Sequence, residues 1–81
     1  MEHPLDVRGL RCPIPLLRAR AALPQILPGD ALVVLTTDPE ASIDLAALAV
    51  DESLTFEATA VTRDEWRLTL RRSPAPAPDG T

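Results

Sequence analysis

Cys12 is the side chain whose type and surroundings point to chemistry rather than packing. It stands in the run Arg8-Gly9-Leu10-Arg11-Cys12-Pro13-Ile14-Pro15. The thiolate is the nucleophilic form of cysteine, and local electrostatics set how much of it exists at neutral pH. Four features of the run favour it. Cys12 lies just before a helix start, where the positive end of the dipole stabilises an anion. Arg11 is adjacent and Arg8 is close, and both stabilise a negative sulfur. Pro13 biases Cys12 to an extended backbone, which holds the sulfur off the helix. Gly9 lets the chain turn sharply, so the cysteine sits on an exposed corner. Helix N-termini and cations lower a free-cysteine pKa of about 8.5 by one to several units. The expectation is an exposed, partly ionised nucleophile. The competing expectation is a small buried hydrophobe, the ordinary fate of a free cysteine.

What the chain lacks narrows the chemistry. It has one Cys, so neither an internal disulfide nor a two-cysteine redox cycle is available. His3 is the single histidine and falls in what reads as a loose N-terminus, a weak partner for a Cys–His dyad. One Cys and one His do not make a typical zinc site, and no metal or cofactor is expected. No glycine-rich loop has the spacing of a phosphate site. A nucleophile with so little around it suits a carrier: it holds a group on sulfur while larger partners do the chemistry. Little independent turnover is expected of it as an enzyme.

Composition sets the outer bounds. The chain has 81 residues, room for one domain with a modest core. Its apolar fraction of 46% is mostly Leu, Ala and Val, with one Phe and one Trp, so the core must be aliphatic. No apolar run approaches the roughly 20 residues of a membrane span. The opening MEHPLDVRG lacks the layout of an export signal, and a cytoplasmic location is expected. A net charge of −4 argues against direct nucleic-acid binding. With two aromatics, a base-stacking platform is unsupported, and Trp66 reads as core or sheet surface. All eight basic residues are Arg, and Arg8, Arg11, Arg18 and Arg20 cluster near the start.

These features need elements to position them. Leu5 to Arg8 alternates like a half-buried strand, and Gly9 ends it. Pro13 and Pro15 suit a first helical turn, and the helix they open runs to about Leu23, where Pro24 ends or kinks it. Pro28-Gly29-Asp30 is a turn. Ala31 to Thr36 reads as a covered, central strand. Either Asp38 with Pro39 at the first helical position, or Thr37 and Glu40 as a capping box, starts a second helix, on which Ile43, Ala46, Ala47 and Val50 share one face. Asp51 and Glu52 at its negative end should make it fray. Leu54 to Ala60 and Trp66 to Arg71 alternate cleanly around a polar turn, as an antiparallel hairpin does. The order is βαβαββ: a two-layer α/β sandwich with both helices on one face of a four-stranded mixed sheet. Residues 1–72 form this domain, and the Pro-rich tail 73–81 is expected to be disordered.

The run Asp6-x-Arg8-Gly9-Leu10-Arg11-Cys12-Pro13-x-Pro15-Leu16-Leu17 resembles the signature of the TusA/SirA family of small sulfur-carrier proteins. The resemblance continues through Pro28-Gly29-Asp30 and Thr37-Asp38-Pro39 and covers about residues 4–72. It implies the same two-layer fold. It also implies that Cys12 accepts sulfane sulfur as a persulfide and passes it on. The implied donors are a cysteine desulfurase, a rhodanese or a DsrE-like protein. The implied acceptors serve tRNA thiolation, molybdenum-cofactor biosynthesis or sulfur oxidation. On this reading Arg8, Gly9, Arg11, Pro13 and Pro15 support the thiolate or the motif geometry. Arg18 and Arg20 offer a docking patch for an acidic partner. Asp38 reads as a helix cap beside the site. The alternative is a non-catalytic interaction module that docks a larger complex through its first helix. A redox sensor at Cys12 is a third reading. A monomer is expected.

Overall fold

The computed structural model describes residues 1–73; the expectation of a disordered tail falls, apart from Ser73, outside them. The elements are β1 (Glu2–Asp6), α1 (Ile14–Ala22), a 3-10 turn (Leu23–Gln25), β2 (Ala31–Thr36), α2 (Pro39–Asp51), β3 (Leu54–Thr62) and β4 (Glu65–Arg72). The sheet order is β1-β2-β4-β3. β1 runs parallel to β2, while β4 runs antiparallel to both β2 and β3. It follows that β3 is parallel to β2, with β4 filling the gap between them. α1 and α2 touch one another and the sheet, so they share one face. The expected two-layer βαβαββ sandwich is the observed fold.

Alternation in the strands builds the core. Leu32 and Val34 of β2 and Leu68 and Leu70 of β4 point inward and are buried. Ala19 of α1 and Ala41, Leu45, Leu48 and Ala49 of α2 close over them. Pro24 ends α1 as expected, and the chain leaves through the 3-10 turn. Arg72 then ties the two ends of the fold together. Its Nε donates to the Ile26 carbonyl at 2.8 Å and its Nη2 to the Leu23 carbonyl at 3.2 Å. A cation there also complements the negative end of the helix.

Three sequence expectations need correction. The first strand is Glu2–Asp6, not Leu5–Arg8. Pro4 sits within it, opposite Val33, because β1 is an edge strand where a missing N–H is tolerated. His3 is therefore not loose: it lies in β1, and its Nε2 is 3.0 Å from Asp30 Oδ2. Finally, Ile43 and Val50 of α2 point outward, 70% and 78% exposed, and Ala47 is exposed with them. The packed face is the one through Ala41, Leu45, Leu48 and Ala49.

Candidate functional site

Topology explains why a site forms at one end of the sheet. β1 and β2 are parallel, so both end at the same edge, and each leads into the start of a helix. Crevices at the carboxyl ends of parallel strands are where such sheets receive ligands. Here the loop 7–13 and the turn 36–40 meet there. Val7 N donates to the Leu35 carbonyl at 2.9 Å, and Gly9 N donates to Thr37 Oγ1 at 2.9 Å. Gly9 has φ +83°, the left-handed region that favours glycine, so the expected sharp turn is present. A cleft of about 550 Å³ lies between the two segments, lined by Gly9 to Cys12 on one side and Thr37 to Glu40 on the other.

Asp38 holds both sides of the cleft. Its Oδ1 accepts from Glu40 N at 3.0 Å, which caps α2 as the sequence suggested. Its Oδ2 accepts from Cys12 N at 2.7 Å, which fixes the cysteine's backbone to the start of the other helix. Asp38 N in turn donates to Thr36 Oγ1 at 3.1 Å. One carboxylate thus serves as helix cap and as anchor for the Cys12 turn.

Cys12 is exposed and free. It occupies a turn, and its bond to Pro13 is cis. Pro13 is the N-cap of α1, and Pro15 is buried in the first turn.

The electrostatics at the sulfur are the reverse of those expected. Cys12 Sγ donates to Asp44 Oδ2 at 2.8 Å. That bond, partial desolvation and the charges of Asp44, Glu40 and Asp38 push the thiol up to about 11. A helix dipole acts like roughly half a charge at its terminus. A full carboxylate charge in contact, with two more nearby, outweighs it. Nor do the arginines supply the expected relief. Arg8 is held by Asp6, with Nη2 to Oδ2 at 2.7 Å and Nε to Oδ1 at 2.9 Å, and by Glu65 at 3.7 Å. That pairing draws Asp6 down to about 2 and raises Arg8 further. Arg8 therefore stabilises the turn rather than the sulfur. Arg11 lines the cleft, is exposed and has no ion pair among the described residues. Arg18 and Arg20 are exposed on α1, away from the hydrogen-bond network at the cysteine.

Asp44 and Glu40 were missed by the sequence reading. Asp44 is 32 residues from Cys12, and only the packing of α2 beside the start of α1 brings them together. The available signal was faint: Glu40 and Asp44 are four apart, hence on one helix face, just after the capping Asp38. Among the described residues, no group of three or more His, Cys, Asp and Glu is placed to hold a metal ion. No helix among them is long and apolar enough to cross a membrane.

Fold and site together define a small α+β sandwich that presents one exposed cysteine at the head of its first helix. The model of the family described as sulfurtransferase TusA matches residues 3–72, and the chain belongs to that family. Two proteins of Neisseria meningitidis, from serogroups A and B, bear the name "putative sulfur carrier protein" and are each 56% identical over 43 residues. That stretch is 53% of this chain, and it spans only 58% of either relative. The crystal structure of a SirA-like protein from Desulfitobacterium hafniense superposes with a TM-score of 0.79 at 23% identity, covering 90% of this chain and 99% of that one. It shares the fold.

Proposed function

We propose that this protein is a sulfur carrier, with Cys12 accepting sulfane sulfur as a persulfide and passing it to a partner protein. The observation that carries the reading is the exposed, unpaired Cys12 at the mouth of an open cleft, in a chain of this family. A carrier sulfur must be reached by two different proteins in turn, which a buried thiol does not permit. The donor is a cysteine desulfurase, a rhodanese or a DsrE-like protein. The acceptor belongs to tRNA thiolation, molybdenum-cofactor biosynthesis or sulfur oxidation, and the protein works in the cytoplasm. It needs no cofactor of its own and acts as a monomer.

The test is an intact mass after incubation with a cysteine desulfurase and cysteine, or with thiosulfate and a rhodanese. Gain of one sulfur, lost on reduction and absent from Cys12→Ser, is the expected result. No gain with any donor, on folded protein with an accessible thiol, would sink the proposal. The second reading, an interaction module docking through α1, is favoured by the exposed Leu17, Arg18 and Arg20 on that helix. It requires that Cys12→Ala complement a deletion as well as the wild type does.

A further inference from the structure

We propose that Asp44 handles the proton at the sulfur-transfer site, taking it from the Cys12 thiol as sulfur is loaded and supplying one to the Cys12 sulfur as sulfur leaves. The inference rests on the carrier reading. Its basis is geometry: Sγ points its hydrogen at Asp44 Oδ2 across 2.8 Å. Both ends of Cys12 are referenced to the same rigid helix. Its backbone N is held by Asp38 at the cap of α2, and its sulfur by Asp44 further along. A base within hydrogen-bond reach on a fixed element meets the first requirement for proton transfer.

No other base competes for the role. His3 is bound to Asp30 and pairs in register with Leu32, at the opposite end of β1 from the cleft. Glu40 and Asp38 act on the sulfur through their charge, while Asp44 alone is hydrogen-bonded to it. The charged groups around Cys12 are Asp38, Glu40 and Asp44 from α2 and the adjacent Arg11 from its own loop. Three carboxylates disfavour a free thiolate, so a base that takes the proton during the transfer step assists it near neutral pH.

The step balances. The Cys12 S–H proton moves to Asp44 Oδ2 as Sγ attacks the terminal sulfur of a donor persulfide. The Sγ–S bond forms and the donor S–S bond breaks. Its electron pair stays on the donor's inner sulfur, which takes the proton from Asp44. A thiol and a persulfide become a persulfide and a thiol, with no external oxidant. On discharge an acceptor thiol gives its proton to Asp44 as its sulfur attacks the terminal sulfur of the Cys12 persulfide. The S–S bond to Cys12 breaks, and Asp44 passes that proton to the departing Cys12 sulfur. This matters because a thiol of high pKa is a poor leaving group.

The experiment compares wild type, Asp44→Asn and Asp44→Glu, with glutathione persulfide as donor and intact mass as readout. General-base assistance is worth about 10²–10⁴-fold. Near neutral pH, Asp44→Asn should load at least about tenfold more slowly. The same variant should be alkylated faster by iodoacetamide, since one carboxylate charge has gone. Its loading rate should converge on the wild-type rate as rising pH removes the proton without help. Asp44→Glu, which keeps a carboxylate, should recover loading. A residue that only depresses ionisation would give the opposite sign: Asp44→Asn would load faster as well as alkylate faster. Loading of Asp44→Asn at or above the wild-type rate overturns the inference and leaves the carrier reading standing. A wild type that takes up no sulfur overturns both.

Discussion

At the scale of single residues, a cysteine's reactivity belongs to the charges around it, and those come from two segments of chain. Read along its own segment, Cys12 has two arginines and a helix N-terminus beside it. In the fold, Arg8 is committed to Asp6 and Glu65, and the nearest charges to the sulfur are acidic. Alkylation of Cys12 in the isolated protein should therefore rise with pH toward a midpoint near 11, measured by iodoacetamide rates across the alkaline range. A midpoint near the free value of about 8.5 would show that the carboxylates do not govern the thiol. The Arg8 clamp makes its own prediction. Asp6 is drawn down to about 2, so it contributes stability above the ordinary carboxylate pKa and loses it as pH falls toward 2. Asp6→Asn should flatten the loss of stability between pH 4 and 2, modestly because the pair is exposed. Unfolding midpoints measured through that range decide it. Cys12 and the capping role of Asp38 were legible in the sequence because both are local. Asp44 was not, because its distance from the thiol is a property of packing.

At the scale of elements, the instructive case is α2. Its sequence, PEASIDLAALAVD, is apolar on more than one side, so periodicity permits two packing faces. The hinge at Asp38 decides between them. With Asp38 fixed to Cys12 N and Asp44 facing the sulfur, Leu45 and Leu48 turn down onto the sheet and Ile43 and Val50 turn out. Strands were easier to read, since each has a single inward face. β1 was displaced in the reading because proline in an edge strand leaves no trace of alternation. The choice of face is testable by urea unfolding. Leu45→Ala should cost about 2–5 kcal/mol, the range for truncating a buried leucine. Val50→Ser, on the exposed face, should stay within about 0.5 kcal/mol of wild type. Comparable losses at both positions would mean that the outward face is covered. Asp38→Ala should cost about 0.5–2 kcal/mol as a lost cap. It should also loosen the Cys12 turn, so loading with sulfur should fall further than stability alone explains.

At the scale of the whole molecule, reactivity and stability are kept at opposite ends of the sheet. The cleft forms where β1 and β2 finish, while the chain is closed where β2 begins. There Arg72 N donates to the Asp30 carbonyl at 2.9 Å, and the Arg72 side chain reaches the end of α1. Those side-chain contacts span 46 and 49 residues of sequence, so they join the last strand to the first helix. The hairpin and the helices were readable from local pattern, but this closure was not. Nothing near Arg72 in the sequence marks Leu23 and Ile26 as carbonyl partners. Arg72→Ala leaves those two carbonyls without their charged donor. Hydrogen bonds to charged groups are worth about 1.5–3 kcal/mol, so a loss of that order is expected in chemical denaturation. The alkylation profile of Cys12 should nevertheless stay at its wild-type midpoint, because the carboxylates that set it are held by α2 at the other end. If Arg72→Ala shifts that midpoint while the protein remains folded, the two ends are coupled through the sheet. The cysteine's environment would then depend on the closure of the whole fold rather than on the cap of one helix.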